Sequence, residues 1–259
     1  MSCGDPYLKE LRKHGYNVVR VPKADIRPLQ MLAKRGDALD RIGELTTVLP
    51  PGGPVPLPPV KQNTPVASLS GQHSADLSLG IGLSVLGTVI AAMGGSKLGL
   101  DLKYKNAKSV RFEFLDVLED RIEIAALDQY LATADVSPFS LYVAQLLEAD
   151  RLYVTTATLK SDKIAVEAKG SGSTGLDVSV PEIKGVVGGD IKVAPTSETA
   201  SKVTFTGPLP LVFAFQAVRL FYEKGRYQRF AVLDSSAALE RVPEPELLSE
   251  GPFVRMTDV

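Results

Sequence analysis

The sequence predicts an α+β fold: a twisted, mainly antiparallel central sheet with long hairpins, peripheral short helices and a short C-terminal tail. Three observations lead there. Apolar residues alternate with polar or small ones over long stretches, at 77–105 and again at 152–193. Helix-period patterns fall between the strand patterns as single short runs, not as a regular strand-helix repeat. The chain of 259 residues, 44% hydrophobic and 23% charged, is long and apolar enough for a sizeable core.

Asp5-Pro6 opens a short amphipathic helix carrying Tyr7, Leu8 and Leu11, and Gly15 stops it. Tyr16 to Val21 reads as a strand. Ile26 to Leu32 fits strand or helix, and a second short helical pattern runs from Asp37 through Leu39, Ile42 and Leu45. Residues 49–65 are proline-rich and predict an extended surface connection, because proline brings no amide donor to a helix or a ladder.

Leu77, Leu79, Ile81, Leu83 and Val85 fall on every second position, with Ser78, Gly80, Gly82 and Ser84 between them, which is a strand pattern. Leu98, Leu100, Leu102 and Tyr104 form the second alternating arm, and 86–95 between the arms reads as a short apolar helix. The run from Leu77 to Ser96 is twenty residues without a charge, yet its glycines weaken a membrane-spanning helix.

Val110 to Val117 continues as strand. Helices follow over about 124–134 and from Ser137-Pro138 to Asp150. Leu152 to Ala168, a glycine-serine tip at 170–175 and Leu176 to Val193 then read as a long hairpin. Ile164, Val166, Ala168, Leu176, Val178 and Val180 share one face, while Lys163, Glu167, Lys169, Asp177 and Ser179 share the other. Val203 to Thr206 and Leu211 to Tyr222 are two further strand patterns.

Composition narrows the function. One cysteine and two distant histidines, His14 and His73, exclude a disulfide framework and leave too few soft ligands for a structural zinc site, so no metal is expected. A net charge of -1 argues against a nucleic-acid partner. Gly170-x-Gly172-x-x-Gly175 matches the dinucleotide fingerprint as a string, but a strand pattern follows where a helix is needed. No G-x-S-x-G elbow occurs, and no catalytic residue or resident cofactor is expected, so the chain does not read as an enzyme. No secretory signal is visible, which predicts a cytoplasmic protein.

Charge is uneven. Residues 1–41 carry a net +4, with Lys9, Arg12, Lys13 and Arg20 among the bases, and residues 234–259 carry a net -4. The asymmetry fits an intramolecular cover, or two solvated surfaces that differ. Cys3 lies just before the first helix; Ser2 in place of glycine excludes N-myristoylation, which leaves S-acylation or an incidental free thiol. Arms this long with one apolar face suit strands lining an aqueous pore, and the same alternation serves a sheet packed on a core, which is far more common.

Certain residues then carry a resemblance. Met1-Ser2-Cys3-Gly4-Asp5-Pro6-Tyr7-Leu8-Lys9-Glu10-Leu11, Gly15-Tyr16-Asn17-Val18-Val19-Arg20-Val21-Pro22 and Asp25-Ile26-Arg27-Pro28-Leu29 resemble the gasdermins, most closely the bacterial ones. The order of elements is similar too, through Leu146-Leu147-Glu148-Ala149-Asp150-Arg151-Leu152-Tyr153-Val154-Thr155-Thr156 into the second hairpin.

The resemblance implies a latent pore-former with a pore-forming domain at 1–236 and an autoinhibitory peptide at 237–259, which holds the cleavage region between about Ala237 and Ser249. It implies Leu247, Leu248, Phe253 and Met256 as tail anchors, the prolines of 243–256 denying that segment a helix or a ladder. It further implies a palmitoyl group on Cys3, contact of Lys9, Arg12, Lys13 and Arg20 with anionic lipid, and extension of 77–105 and 152–193 as membrane strands. The implied partners are an activating protease, caspase-like or other and encoded nearby, membrane lipids, and further copies of the chain, monomeric while inhibited. The implied outcome is an inner-membrane pore that kills the cell in anti-phage defence. A soluble β-rich interaction or carrier module with a docked tail is the alternative.

Overall fold

The computed structural model describes residues 6–36, 38–69, 77–96, 104, 107–136, 141–170, 180–196, 202–223, 226–227, 245–248 and 253–258. Helix α1 (Pro6–Lys13) precedes strands β1 (Asn17–Lys23), β2 (Gln30–Arg35) and β3 (Ala38–Glu44) and the single turn α2 (Leu45–Val48). Then come β4 (Lys61–Pro65), β5 (Leu77–Ser78), α3 (Leu79–Ala92), β6 (Ser109–Leu115), β7 (Leu118–Arg121), α4 (Ile124–Thr133) and α5 (Leu141–Glu148). The last part holds β8 (Leu152–Lys169), α6 (Val180–Val187), β9 (Lys192–Pro195), β10 (Lys202–Arg219), β11 (Tyr222–Glu223), β12 (Arg226–Tyr227) and β13 (Arg255–Asp258). The α+β expectation holds, with an open, mostly antiparallel sheet and helices around it.

The frame is the pair β8 and β10, each 18 residues long and antiparallel along most of their length. On its other edge β8 receives β2 at 152–154, β7 at 157–160 and β6 at 163–169. The main path runs β1-β10-β8-β2-β3-β13. The two strand patterns expected at 203–206 and 211–222 are one strand, because Pro208 and Pro210 sit at an exposed register shift and not in a regular ladder.

Three expectations for local structure are corrected. Residues 38–44 form β3 and not a helix, and the helical turn α2 begins only at Leu45: the antiparallel register pairs Arg35 with Ala38 and pins β3 to β2. Leu79 to Ala92 is α3, so the alternation of Leu79, Ile81, Leu83 and Val85 does not form a strand here, and only Leu77–Ser78 does. The burial of Leu86, Val89, Ile90 and Met93 at helical spacing explains this, because tertiary packing overrides the poor helix propensity of Gly80, Gly82 and Gly87.

Of the second arm expected at 176–193, the described part, 180–193, does not pair with β8 either. Val180–Val187 is α6, started by Pro181 in its first turn and buried through Ile183 and Val187, while β10 takes the free edge of β8. Residue 61 onward in the proline-rich connection is edge strand β4, exposed along its length and paired with β7.

The core has three parts. The first gathers Tyr7 and Leu11 of α1, the buried face of α3 and α6, and Phe114 stacked on Phe213 at 4.1 Å. The second packs α4 and α5 on β2 and the start of β8. The third lies under the C-terminal segment and takes Val19, Leu32, Leu39, Tyr153, Phe215 and Ala217 from five strands, plus Leu248, Val254 and Met256.

Candidate functional site: the seat of the C-terminal segment

β1 and β3 are widely separated in the strand order, and β13 pairs parallel with β3, placing Arg255 against Ala38 and Asp258 against Arg41. One residue earlier, the Val254 amide donates to the Val18 carbonyl at 2.7 Å, and the Arg20 amide donates to the Val254 carbonyl at 2.9 Å. The segment therefore fastens β1 to β3 across the open side of the sheet. This corrects the expectation that prolines keep the tail out of any ladder: residues 253–258 follow Pro252 and contain none, so their amides are free to pair.

A second station holds residues 245–248. Asn17, buried on β1, donates from Nδ2 to the Glu246 carbonyl at 2.8 Å and accepts at Oδ1 from the Leu248 amide at 2.7 Å, so one side-chain amide serves the segment as a strand edge would. The Glu246 amide donates to the Ala217 carbonyl at 2.9 Å. Arg219 Nε donates to Glu246 Oε2 at 3.0 Å and a second guanidinium nitrogen bonds the other oxygen, a bidentate pair, while the same guanidinium lies 5.4 Å from the Tyr153 ring centre. Gly15, at φ +73, passes so close to Pro245 that a Cβ there would meet the proline ring at 2.8 Å.

Ions anchor the far end. Asp258 accepts from Arg41 Nε at 2.6 Å and from Lys23 Nζ at 2.7 Å, and Arg41 also holds Asp25 at 2.7 Å. The Lys23 bond, followed by that of Arg41, keeps the Asp258 carboxyl below the usual carboxylate range; the Arg41 bond does the same to Asp25. Thr257 donates to the buried carboxylate of Asp40. Of the two readings of the charge asymmetry, the intramolecular cover is the one seen for Lys23 and Arg41, which pair with the acidic end. Beside Asn17 in the chain, burial and then the Glu119 hydrogen bond push the Tyr16 phenol up and keep it protonated.

The predicted site residues are distributed as follows. Leu248 and Met256 are buried under the segment, and Phe253 is half-buried against the first core cluster. Leu247 is 42% exposed, unlike its neighbour Leu248. Ile164 and Val166 are buried on β8, and Leu83 and Val85 are half-buried on α3. Leu77 lies in β5, Leu79 and Ile81 in α3, and Val180 opens α6. Lys9 and Lys13 lie one turn apart on α1 and are exposed with Arg20, while Arg12 is half-buried. Cys3, Leu98, Leu100, Leu102, Leu176 and Val178 lie outside the described residues.

Sequence reasoning missed Asn17, Arg219 and Asp40. A lone polar residue in an apolar strand was the only signal for the first, and long-range pairing hid the others. No helix among the described residues is long and apolar enough to cross a membrane, which leaves strands untouched. No group of three or more potential metal ligands occurs among them.

Comparison with known proteins gives this arrangement its context. Residues 19–226 match the model of the Bacterial Gasdermin Family. A Gasdermin bGSDM of a Desulfuromonadales bacterium is 53% identical over 266 residues, covering 100% of both chains, and one of Lysobacter enzymogenes is 42% identical over 96% of this chain and 93% of its own. The solved structure of a bacterial gasdermin from Bradyrhizobium tropiciagri superposes with a TM-score of 0.68 at 17% identity, over 100% of this chain and 98% of that one, and shares the fold. With the match spanning both the sheet and its long central strands, the chain belongs to the bacterial gasdermins, a family of pore-forming proteins and not of enzymes.

Proposed function

We propose that this chain is a latent pore-former whose C-terminal segment holds it in the closed form until a protease cuts upstream of the seat. The observation that carries the reading is the clasp itself: residues 245–248 and 253–258 contact β1, β3, β8 and β10 together and fasten β1 to β3. Removing the segment strips Leu248, Val254 and Met256 from the third core cluster, each worth roughly 1.5–3 kcal/mol of burial. It also leaves the Val18 carbonyl and the Arg20 amide on an open edge.

A second feature favours a pore over the soluble carrier. Residues 79–85 carry a strand alternation with Gly80 and Gly82 but are folded in a helix, as are 180–187. A segment whose local pattern opposes its folded state is a candidate for refolding. In this reading 77–105 and 152–193 extend into membrane strands, and closure of a ring of copies satisfies every edge amide in hydrocarbon. Lys9, Lys13 and Arg20 meet anionic headgroups, and a palmitoyl group on Cys3 adds a second membrane signal. The protein is then cytoplasmic and monomeric when latent, and in the inner membrane when cut, serving cell death in anti-phage defence.

The test is dye release from anionic liposomes by the full chain, carrying a protease site inserted upstream of Pro245, before and after cutting. Release only after cutting supports the reading. No release from a cut chain that has lost its tail and remains folded moves the assignment to the soluble module. Cys3→Ala is expected to weaken release without unfolding the protein, and unchanged release retires the lipid role.

A further inference from the structure

Residues 55–60, Val-Pro-Leu-Pro-Pro-Val, lie between α2 and β4 and belong to neither a helix nor a strand. Pro56, Pro58 and Pro59 fix their own φ at about −65° and hold the residue before each in the extended region, which sets the run as a polyproline II helix. The run contains no cis peptide bond and no positive φ. Such a helix has about three residues per turn, so 55 and 58 share one ridge, 56 and 59 a second, and 57 and 60 the third.

Burial follows this period. Pro58 is buried and Val55 is half-buried against the second core cluster, as is Val60, whereas Pro56 and Pro59 are exposed and Leu57 is 40% exposed. One ridge seats the helix on the body, and the ridge of Pro56 and Pro59 faces away with Leu57 beside it. The backbone is open as well: among the described residues no hydrogen bond reaches the amides or carbonyls of 53–59. Both flanks are held, since the Pro50 carbonyl accepts from the Asp135 amide at 2.9 Å and Lys61 pairs with Arg121 in the ladder of β4 and β7. Little conformational freedom is left to lose on binding. Lys61 follows the run directly; it meets Glu123 at 2.7 Å, and with the two side chains 56% and 60% exposed this pair is weak and exchangeable in water.

We propose that residues 54–61 are a docking ligand for a second protein, one that presents an aromatic-lined groove of the SH3 kind with a carboxylate at one end. Pro56 and Pro59 stand one turn apart on the outward ridge, as such a groove requires, and the open carbonyls accept hydrogen bonds from it. Lys61 meets the carboxylate and fixes the direction of the helix in the groove. A bare connection between α2 and β4 needs neither the outward proline period nor the cation at its end. The proposal stands independently of the pore-former reading.

The experiment titrates the uncut full chain with an isolated SH3 domain that selects the pattern P-x-x-P-x-K, beside a synthetic peptide of residues 53–62, with calorimetry as the readout. Chain and peptide are expected to bind within about tenfold of each other, and Pro56→Ala with Pro59→Ala is expected to weaken binding by about tenfold or more. Lys61→Glu weakens it while leaving the prolines in place, and Glu123→Gln, which frees Lys61, tightens it. Binding by the peptide and not by the chain would mean that the body covers the helix, and binding by neither would mean that the chemistry is wrong; each overturns the proposal. Proline variants that melt at a lower temperature yet bind as the parent does would make the segment a strut only, which overturns it too. No step of the test uses liposomes, so its failure is separate from failure of the pore reading.

Discussion

The seat of the C-terminal segment and the contact between α3 and α6 hold two parts of the chain in place by different forces. At the seat, directional bonds dominate: the amide clasp of Asn17, the bidentate Arg219–Glu246 pair, and the Lys23 and Arg41 bonds to Asp258. Between α3 and α6 the contact is apolar, with Ile90, Val187 and Ile191 closing around Gly95, and one backbone bond from Ser96 to the Val187 carbonyl at 2.7 Å. The difference separates two tasks. Polar bonds make the seat specific for one sequence and sensitive to solution conditions, whereas apolar packing keeps two helices together against their own strand-like patterns.

The largest effect is expected from Asn17→Ala. It leaves the Leu248 amide and the Glu246 carbonyl without partners, at roughly 1–3 kcal/mol for each buried group left unpaired. Hydrogen exchange is expected to rise at 245–258 and not at α3, and the uncut chain to begin leaking liposomes. Equal protection in variant and parent would remove Asn17 from the account.

Gly95→Val attacks the other region. Its Cβ would stand 2.5 Å from Ile191 Cδ1 and 3.2 Å from Val187 Cγ1, an overpacking expected to cost about 1–3 kcal/mol. Exchange should now rise in α3 and α6 and leave the tail protected. A variant that loosens both regions equally would show them to be one cooperative unit, contrary to the comparison.

Acid separates the two without mutation. A carboxyl held below its ordinary value stabilises the docked form fully above that value, about 3.9, and the contribution is lost as pH falls through the depressed value. Asp258, with Asp25 sharing Arg41, makes tail protection fall below about pH 4, and Asp258→Asn flattens that dependence. The contact of Ile90, Val187 and Ile191 around Gly95 is made by apolar side chains. The smallest effect belongs to Lys23→Ala, whose ion pair has an exposed carboxylate and is worth about 0.2–1 kcal/mol, visible as a weaker salt dependence of tail docking.

Much of the sheet was legible because local pattern and tertiary role coincide. The alternation of Ile164, Val166 and Ala168 survives as the buried face of β8, and Asp5-Pro6 and Gly15 mark α1 within a residue or two. Gly36-Asp37 was an available hairpin signal, and the weak helical spacing of Leu39, Ile42 and Leu45 obscured it. Leu79 to Val85 could not be read correctly from pattern, since its period of two is real and burial of Leu86, Ile90 and Met93 decides for helix.

At the seat, charge asymmetry left a cover and two solvated surfaces both open, and it was the resemblance that singled out Leu248 and Met256. The pairing of Asn17 with residues 246 and 248 spans more than two hundred positions, and no local signal encodes it.

On the proposed reading the seated segment keeps the chain closed. The most direct measurement is liposome dye release by the full chain with a protease site upstream of Pro245, with tail departure followed in the same sample. Tight liposomes before cutting, and release that tracks loss of the tail, are expected. Release at the same rate with the tail still seated, or tight liposomes after a folded body has lost it, would contradict the claim.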